Sequence, residues 1–338
     1  MKKVCITRFW RRKSSVWIVA VSVFVSFSLL TLDATMAGMK TPPPEKIDAI
    51  IVGDRIVDIA YNLGVMPQAM SVRGSMWEMA KKLRLSSQIL GCPNFTTVKK
   101  KETIPNALKK FGLNRVIAEK KDDFCLYKPQ VKPASIAEIL KDSGSTATVE
   151  YVDFKDGLES AVRQVAKLTG REDKVNTVLE KYNKELSMAK KKMPKNLGKK
   201  VVILNGTYQQ GTGKPTLRVE APGLYSDRFF LTPMGCTNAG DVFKPANGKM
   251  MKGYYPVKKT KDGMKLDPLL KAKPEIIVIT GNAYAVQKIL ADYLNANPAL
   301  AEVPALKNQA IFHLPLYVDS SVLEFPQILL QWSMAFSN

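Results

Sequence analysis

From Ile47 onward the chain alternates short apolar runs with segments in which apolar residues recur every three or four positions. "IDAIIVG" (47–53) is a nearly continuous apolar run closed by Gly, the pattern of a strand buried on both faces. In "DRIVDIAYNLGV", Asp54 stands at a capping position and Ile56, Val57, Ile59, Ala60 and Leu63 share one helical face up to Gly64, so a helix is expected. The alternation continues with a strand at "MPQAMSV", a helix at "SMWEMAKKLRL", a strand at "SSQILGCP", a helix then a strand over "IPNALKKFGLNRVIAEK" (104–120), a helix at "SIAEILKDSG" and a strand at "ATVEYVDF". Strands and helices in strict turn predict an α/β lobe on a largely parallel sheet.

Residues 155–193 break this rhythm. They carry no strand signal and repeat Leu and Val at three and four, with "TGRED" the one dent, which predicts a single helix of about 35 residues and roughly 50 Å. After it the first pattern restarts. "VVILN" reads as a strand, "GTYQQGTGKPTLRV" as a Gly-rich loop, "PGLYSDRFFLTPMG" as an irregular or helical segment and "KPANGKMMKGYYPVKKTKDG" as a polar loop. "KLDPLLKAKPEIIVITG" (265–281) then repeats the helix, break and strand of 104–120. A helix at "AYAVQKILADYL", a strand at "QAIFHLPLYV" and a closing amphipathic helix follow. The expected architecture is α/β: two similar lobes with central, mainly parallel sheets, 38–154 and 194–338, joined by a long spine helix at 155–193.

The first 37 residues follow another grammar. Six Lys or Arg precede an uncharged run from Val16 to Leu32, and small residues surround Ala37. That order predicts a signal peptide cleaved near Ala37, hence a periplasmic protein, the alternative being a retained anchor. The whole chain carries a formal charge of +21, and without residues 1–37 it still holds 45 basic against 29 acidic residues. Such an excess suits nucleic acid, an anionic membrane or an anionic small ligand, and export argues against nucleic acid. The runs at 99–101 and 189–200 read as solvated, whereas Arg73, Arg218 and Arg228 lie among aromatic or Met neighbours and are candidates to meet a ligand. Of four cysteines, Cys5 leaves with the signal. Cys92 with Cys125 is the expected bridge in an oxidising compartment, leaving Cys236 single.

Few motifs carry catalytic chemistry. "GTYQQGTGKP" fails as a phosphate loop, since Tyr208 stands where the first Gly belongs and Pro215 where Ser or Thr must hold magnesium. His313 is the sole histidine, too few for a bare-metal site or a hydrolase triad, and no GxSxG elbow exists. It is read as a structural strand residue or, more sharply, as an iron axial ligand. Aromatic and Met residues gather in expected loops: Met66, Met70, Met76 and Trp77 in the first lobe, then Tyr208, Tyr225, Phe229, Phe230, Met234, Met250, Met251, Tyr254 and Tyr255 in the second. "KMMKGYYP" is too polar for a core, so its rings are expected to line a cleft.

Taken together, "IDAIIVGDRIVDIAYNLGV", the pair "IPNALKKFGLNRVIA" and "LDPLLKAKPEIIVIT", and the closing "ALKNQAIFHLPLYV" resemble the class III periplasmic solute-binding proteins of ABC importers, over about residues 47–336. The resemblance implies a monomeric, non-enzymatic carrier with no intrinsic cofactor. It would trap a metal chelate (ferric siderophore, haem or cobalamin) between its lobes and deliver it to an inner-membrane ABC permease. It implies ligand contacts at Arg73, Trp77, Tyr208, Tyr225, Arg228 and Tyr317, to which the aromatic-cleft reading adds Tyr254, Tyr255 and His313. It also implies permease docking through Asp267 on the second lobe; the first has Asn106 at the matching place, with Glu102 nearby. The alternatives are a molybdate-like oxyanion carrier of the same fold, an exported enzyme, or an anchored scaffold.

Overall fold

The apolar run at 47–52 forms the central strand of a five-stranded sheet. The computed structural model describes residues 43–337 apart from 75–76, 121–123, 126–127, 129, 262 and 318–321. The signal segment and Met76 lie outside the described residues. The first sheet grows from β1 (Glu45–Val52), α1 (Asp54–Asn62), β2 (Val65–Ser71), α2 (Glu78–Leu83), β3 (Gln88–Gly91), α3 (Thr103–Phe111), β4 (Arg115–Lys120), α4 (Ile136–Asp142) and β5 (Thr148–Asp153). Its order is β3-β2-β1-β4-β5 with every pairing parallel. Ile51 packs in one core with Ile56 and Val57 of α1, and Ile50 in another with Leu108 of α3 and Ile139 of α4, which is why the run is apolar on both faces.

Two helices follow, α5 (Gly157–Thr169) and α6 (Val175–Lys192), where the pattern predicts one. The break is local chemistry: Gly170 adopts φ 66°, and the Arg171 N–H reaches back to the Ala166 carbonyl at 2.8 Å, a Schellman stop that a periodic Leu/Val pattern does not reveal. The linking role falls to α6, whose 18 residues extend about 27 Å. Its first half lays Val175, Leu179 and Tyr182 on the core of the first sheet, and its second half lays Leu186 and Ala189 on the core of the second.

The second sheet is built from β6 (Lys200–Gln209), β7 (Lys214–Glu220), β8 (Thr237–Asn238), β9 (Tyr254–Pro256), β12 (Ile276–Gly281) and β13 (Ile311–His313). A small ribbon of β10 (Lys259–Thr260) and β11 (Gly263–Met264) intervenes, and α7 (Asp267–Ala272), α8 (Ala283–Ala296), α9 (Pro304–Lys307) and α10 (Phe325–Ser337) complete the chain. The order is β13-β12-β6-β7-β9, with β8 also beside β6. Strands β12, β13 and β8 run parallel to their neighbours, while β7 and β9 run antiparallel. The repeated helix-strand signature occupies the same place in each sheet: α3 leads into β4 beside β1, and α7 leads into β12 beside β6.

The chain then returns across the molecule. Val322 and Leu323 pack on the first core, and the Leu323 N–H donates to Asp58 of α1 at 2.8 Å. Helix α10 packs on the second core through Leu329, Trp332 and Phe336. The described residues from Pro44 onward form one compact unit.

Two sequence expectations fail here. The Gly-rich "GTYQQGTGKPTLRV" is a β-hairpin, not a loop: β6 runs on through Gln209, and Thr207 pairs with Thr216 across it. "KMMKGYYP" ends in strand β9, where Tyr254 opposes Glu220 and Tyr255 opposes Val219. A short strand needs only two or three residues with the right partners, and those partners lie more than thirty positions upstream.

Candidate functional site

Because β2, β3 and β4 are parallel, their carboxyl ends share one edge of the first sheet, the edge where ligands of α/β sheets sit. Three loops leave from it. The loop after β2 carries Arg73, the loop after β3 carries Cys92 to Lys99, and the loop after β4 carries Phe124, Cys125 and Lys128. Gly91 (φ 118°) makes the second of these loops fold tightly: a Cβ there would stand 2.7 Å from Cδ1 of Phe95, so only Gly lets that ring lie back over the strand end.

Arg73 is the centre of the arrangement and is 4% exposed. Its backbone N–H donates to Asp54 Oδ1 at 2.7 Å and its Nε pairs with Asp54 Oδ2. Nη1 donates to the Phe124 carbonyl at 3.3 Å, and the guanidinium lies 4.6 Å over the Phe124 ring. The same Nη1 donates to the Tyr225 hydroxyl at 3.2 Å, across from the second sheet's part of the chain. Tyr225 is held in turn by its neighbour, since Ser226 donates its N–H (3.1 Å) and its hydroxyl (2.9 Å) to the buried carboxyl of Glu220. Burial pushes Glu220 up to about 7.

Around Arg73 opens a cavity of about 270 Å³ whose wall comes from the three loops and from Lys252, just before β9. Four cationic side chains line it, Arg73, Lys99, Lys128 and Lys252, together with the rings of Phe95 and Phe124 and the thiols of Cys92 and Cys125; among the described residues no carboxylate does. Cys92, Cys125 and Cys236 are free thiols, so the bridge expected between the first two is not formed. Among the described residues no group of three or more His, Cys, Asp or Glu converges as a metal site.

The remaining sequence-derived candidates scatter. Trp77 is 2% exposed and belongs to the first core, not to a cleft wall. Tyr255 is a second-core residue whose hydroxyl donates to Asp241 at 2.8 Å. Tyr317 packs edge-on against Phe229 at 4.3 Å in the other second-sheet core, and Tyr254 lies beneath Arg218, whose guanidinium is 4.0 Å from the ring centre. Tyr208 stands exposed on the hairpin, edge-on to Tyr284 at 5.6 Å. Arg228 is exposed beside Phe229, and exposed His313 ends β13 with Nε2 3.3 Å from the Gly281 carbonyl. Glu102 stands exposed just before α3, with Lys100 Nζ at 3.9 Å. Asp267 opens α7, with Lys265 Nζ at 3.7 Å, and a hydrogen bond from Tyr293 holds its carboxyl below the usual range. Glu102 thus precedes the helix that leads into β4, and Asp267 is the first residue of the helix that leads into β12.

Sequence reasoning thus named Arg73 and Tyr225 and missed Lys99, Lys128, Lys252, Phe95 and Phe124. The signal available for the missed residues was position, since each lies in or near a loop that the structure brings to this one cavity.

The periplasmic binding protein family model matches residues 50–318. No curated protein sequence matches the chain. Among solved structures it is similar to the periplasmic heme-binding protein RhuT from Roseiflexus sp. RS-1 in apo form, at TM-score 0.52 and 16% identity over 87% of this chain and 98% of that one. It is similar to the periplasmic heme-binding protein HutB of Vibrio cholerae at TM-score 0.50 and 16% identity, covering 86% and 98%. It is likewise similar to the triscatecholate siderophore-binding protein FeuA from Bacillus subtilis complexed with ferri-bacillibactin, at TM-score 0.50 and 16% identity, covering 88% and 94%. At these identities the structural likeness speaks to fold, while the family match spans most of the chain. Two α/β sheets bridged by a helix, with a cavity at a carboxyl strand edge, are the frame of that match: the chain belongs to the periplasmic binding protein family.

Proposed function

We propose that this protein is an exported solute-binding component of an ABC importer. It captures an anionic metal chelate, such as haem, a ferric siderophore or a corrinoid, between its two sheets and hands it to a permease. The observation that carries this reading is the cavity around Arg73, lined by four cations and two rings and by no carboxylate among the described residues. Guanidinium and ammonium groups favour carboxylate or catecholate oxygens, and rings favour the flat parts of a conjugated ligand. The structural relatives that bind haem or a ferric siderophore support the same class of solute. On this reading the carrier acts stoichiometrically as a monomer, and Glu102 and Asp267 meet the permease.

Cavity size favours a second reading. About 270 Å³ lies just under the usual range for drug-sized ligands, so a small oxyanion fits as it stands, whereas a chelate needs the two sides to part. An absorption spectrum with metal analysis of the purified protein, then titration of its tryptophan fluorescence with haem, cobalamin, ferric siderophores and molybdate, separates the two. Saturable one-to-one quenching by a chelate is the expected result. Binding of molybdate alone selects the oxyanion carrier, and binding of none removes the proposal.

A further inference from the structure

Anion capture leaves the two thiols of the cavity, Cys92 and Cys125, without a role. Cys92 sits at the head of the turn that carries Phe95, its carbonyl accepting from the N–H of Phe95 at 2.7 Å and of Thr96 at 3.1 Å. Cys125 follows Phe124, the residue whose carbonyl and ring both engage Arg73, and its own carbonyl accepts from the Lys128 N–H at 3.0 Å. Both backbones are therefore fixed by bonds of the cavity wall itself. Both side chains are free thiols lining the same space, and Cys125 is 7% exposed. Cys236 packs against a core of the second sheet, away from this cavity.

Donor chemistry decides what such a pair takes. Sulfur is a soft ligand that selects thiophilic metals, while among the described residues no carboxylate of the kind that holds hard cations lines this wall. Two donors do not complete the shell of a four-coordinate ion, and no larger ligand cluster exists among the described residues. A two-coordinate soft ion, or a complex that brings its own further ligands, is what remains. Arg73, Lys99, Lys128 and Lys252 then fit the anionic remainder of such a complex.

We propose that Cys92 and Cys125 are a metal-ligating pair that binds the thiophilic centre of an anionic metal complex, with the four cations holding the complex around it. This inference rests on the cavity being the solute site. Capture is a ligand exchange without redox change: each thiol proton passes to the departing ligand, and a sulfur–metal bond replaces the bond that leaves.

The probe is aurothiomalate, an anionic gold(I) thiolate, applied to the full chain carrying Cys5→Ser and Cys236→Ser so that only the pair remains. One gold per protein should survive gel filtration, and both thiols should disappear from titration with a disulfide reagent. Cys92→Ser, Cys125→Ser or the corresponding Ala variants should each cut gold retention at least tenfold. Joint Lys99→Glu, Lys128→Glu and Lys252→Glu should slow capture at low salt and lose that effect at high salt. Gold retained without either cysteine, gold blocking only one thiol, or an intact mass two hydrogens light from a disulfide would each overturn the proposal. Parallel titration of the same variants with haem and ferric siderophores keeps the outcomes distinct. Chelate binding without gold capture removes only the thiol pair, and loss of both in the parent chain removes the solute site as well.

Discussion

The carboxyl of Asp58 gives this fold a pH dependence with a definite sign. It is fully buried in α1, where Oδ2 accepts from the Leu323 N–H at 2.8 Å and Oδ1 from Asn62 Nδ2 at 3.2 Å. Burial raises it from 3.8 to about 8, the Leu323 bond working against that rise and the charge of Glu324 with it. The folded chain therefore keeps a proton that the unfolded chain gives up. Its stabilising effect is complete below about pH 4 and lost as pH climbs through about 8. Across that window of roughly four pH units, at about 1.4 kcal/mol per unit, the loss is about 5 kcal/mol. Asp58→Asn supplies a neutral side chain whose oxygen still accepts from Leu323. It gives up the bond from Asn62, whose Nδ2 also donates to the Asp58 carbonyl at 2.8 Å, so a constant offset of about 1 kcal/mol is the cost. Urea unfolding of both proteins from pH 4 to pH 8 measures the difference directly, and every group they share cancels from it. The variant should gain on the parent by about 5 kcal/mol across the series. Two parallel curves would refute the argument, because they would mean that Asp58 binds no extra proton in the folded state.

Three further outcomes are expected. Glu220, raised by burial from 4.5 to about 7, stabilises below about pH 4.5 and loses that effect as pH rises through about 7, so Glu220→Gln should flatten the unfolding curve by about 3 kcal/mol over that interval. Tyr225→Phe removes one hydrogen bond from Arg73 and leaves those to Asp54 and Phe124, which should cost about 1–2 kcal/mol in thermal unfolding. It should also raise the share of open molecules seen as a larger radius in X-ray scattering, and an unchanged radius would count against Tyr225 holding the two sides together. Trp332, stacked on Phe230 at 4.3 Å with its Nε1 donating to the Pro315 carbonyl at 3.0 Å, should lose about 3–5 kcal/mol on change to Ala, read as the urea midpoint.

The central parallel strands were legible because they are buried on both faces and must be apolar throughout, as Ile50 to Val52 and Ile276 to Ile279 are. Each is also followed by a helix with its own period. What escaped was structure specified by strand pairing. The hairpin of β6 and β7 looks like a loop because its tip is exposed and polar, and only the facing of Thr207 and Thr216 makes it a ladder. The helix break at Gly170 escaped for the opposite reason: α5 and α6 keep one periodicity on either side of a single left-handed residue.

The site follows the same division. Arg73 could be singled out because an arginine among apolar neighbours must find a partner, and Asp54 is that partner. Aromatic residues in polar stretches promised the same and gave less, since Tyr254 and Tyr255 answer to strand pairing, and Tyr317 to a cluster of Phe229, Phe230 and Phe325. Lys99, Lys128 and Lys252 lie 29 and 124 positions apart and look like solubilising charge. Topology turns them into one wall: strands β3 and β4 end on the same edge, and Tyr225 binding Arg73 brings the second half of the chain against it. In this fold, then, a charge matters by the strand end it follows. A basic surface spread over the whole molecule and a basic cavity around Arg73 are separate features, and the cavity is what sets four cations and two rings around one space.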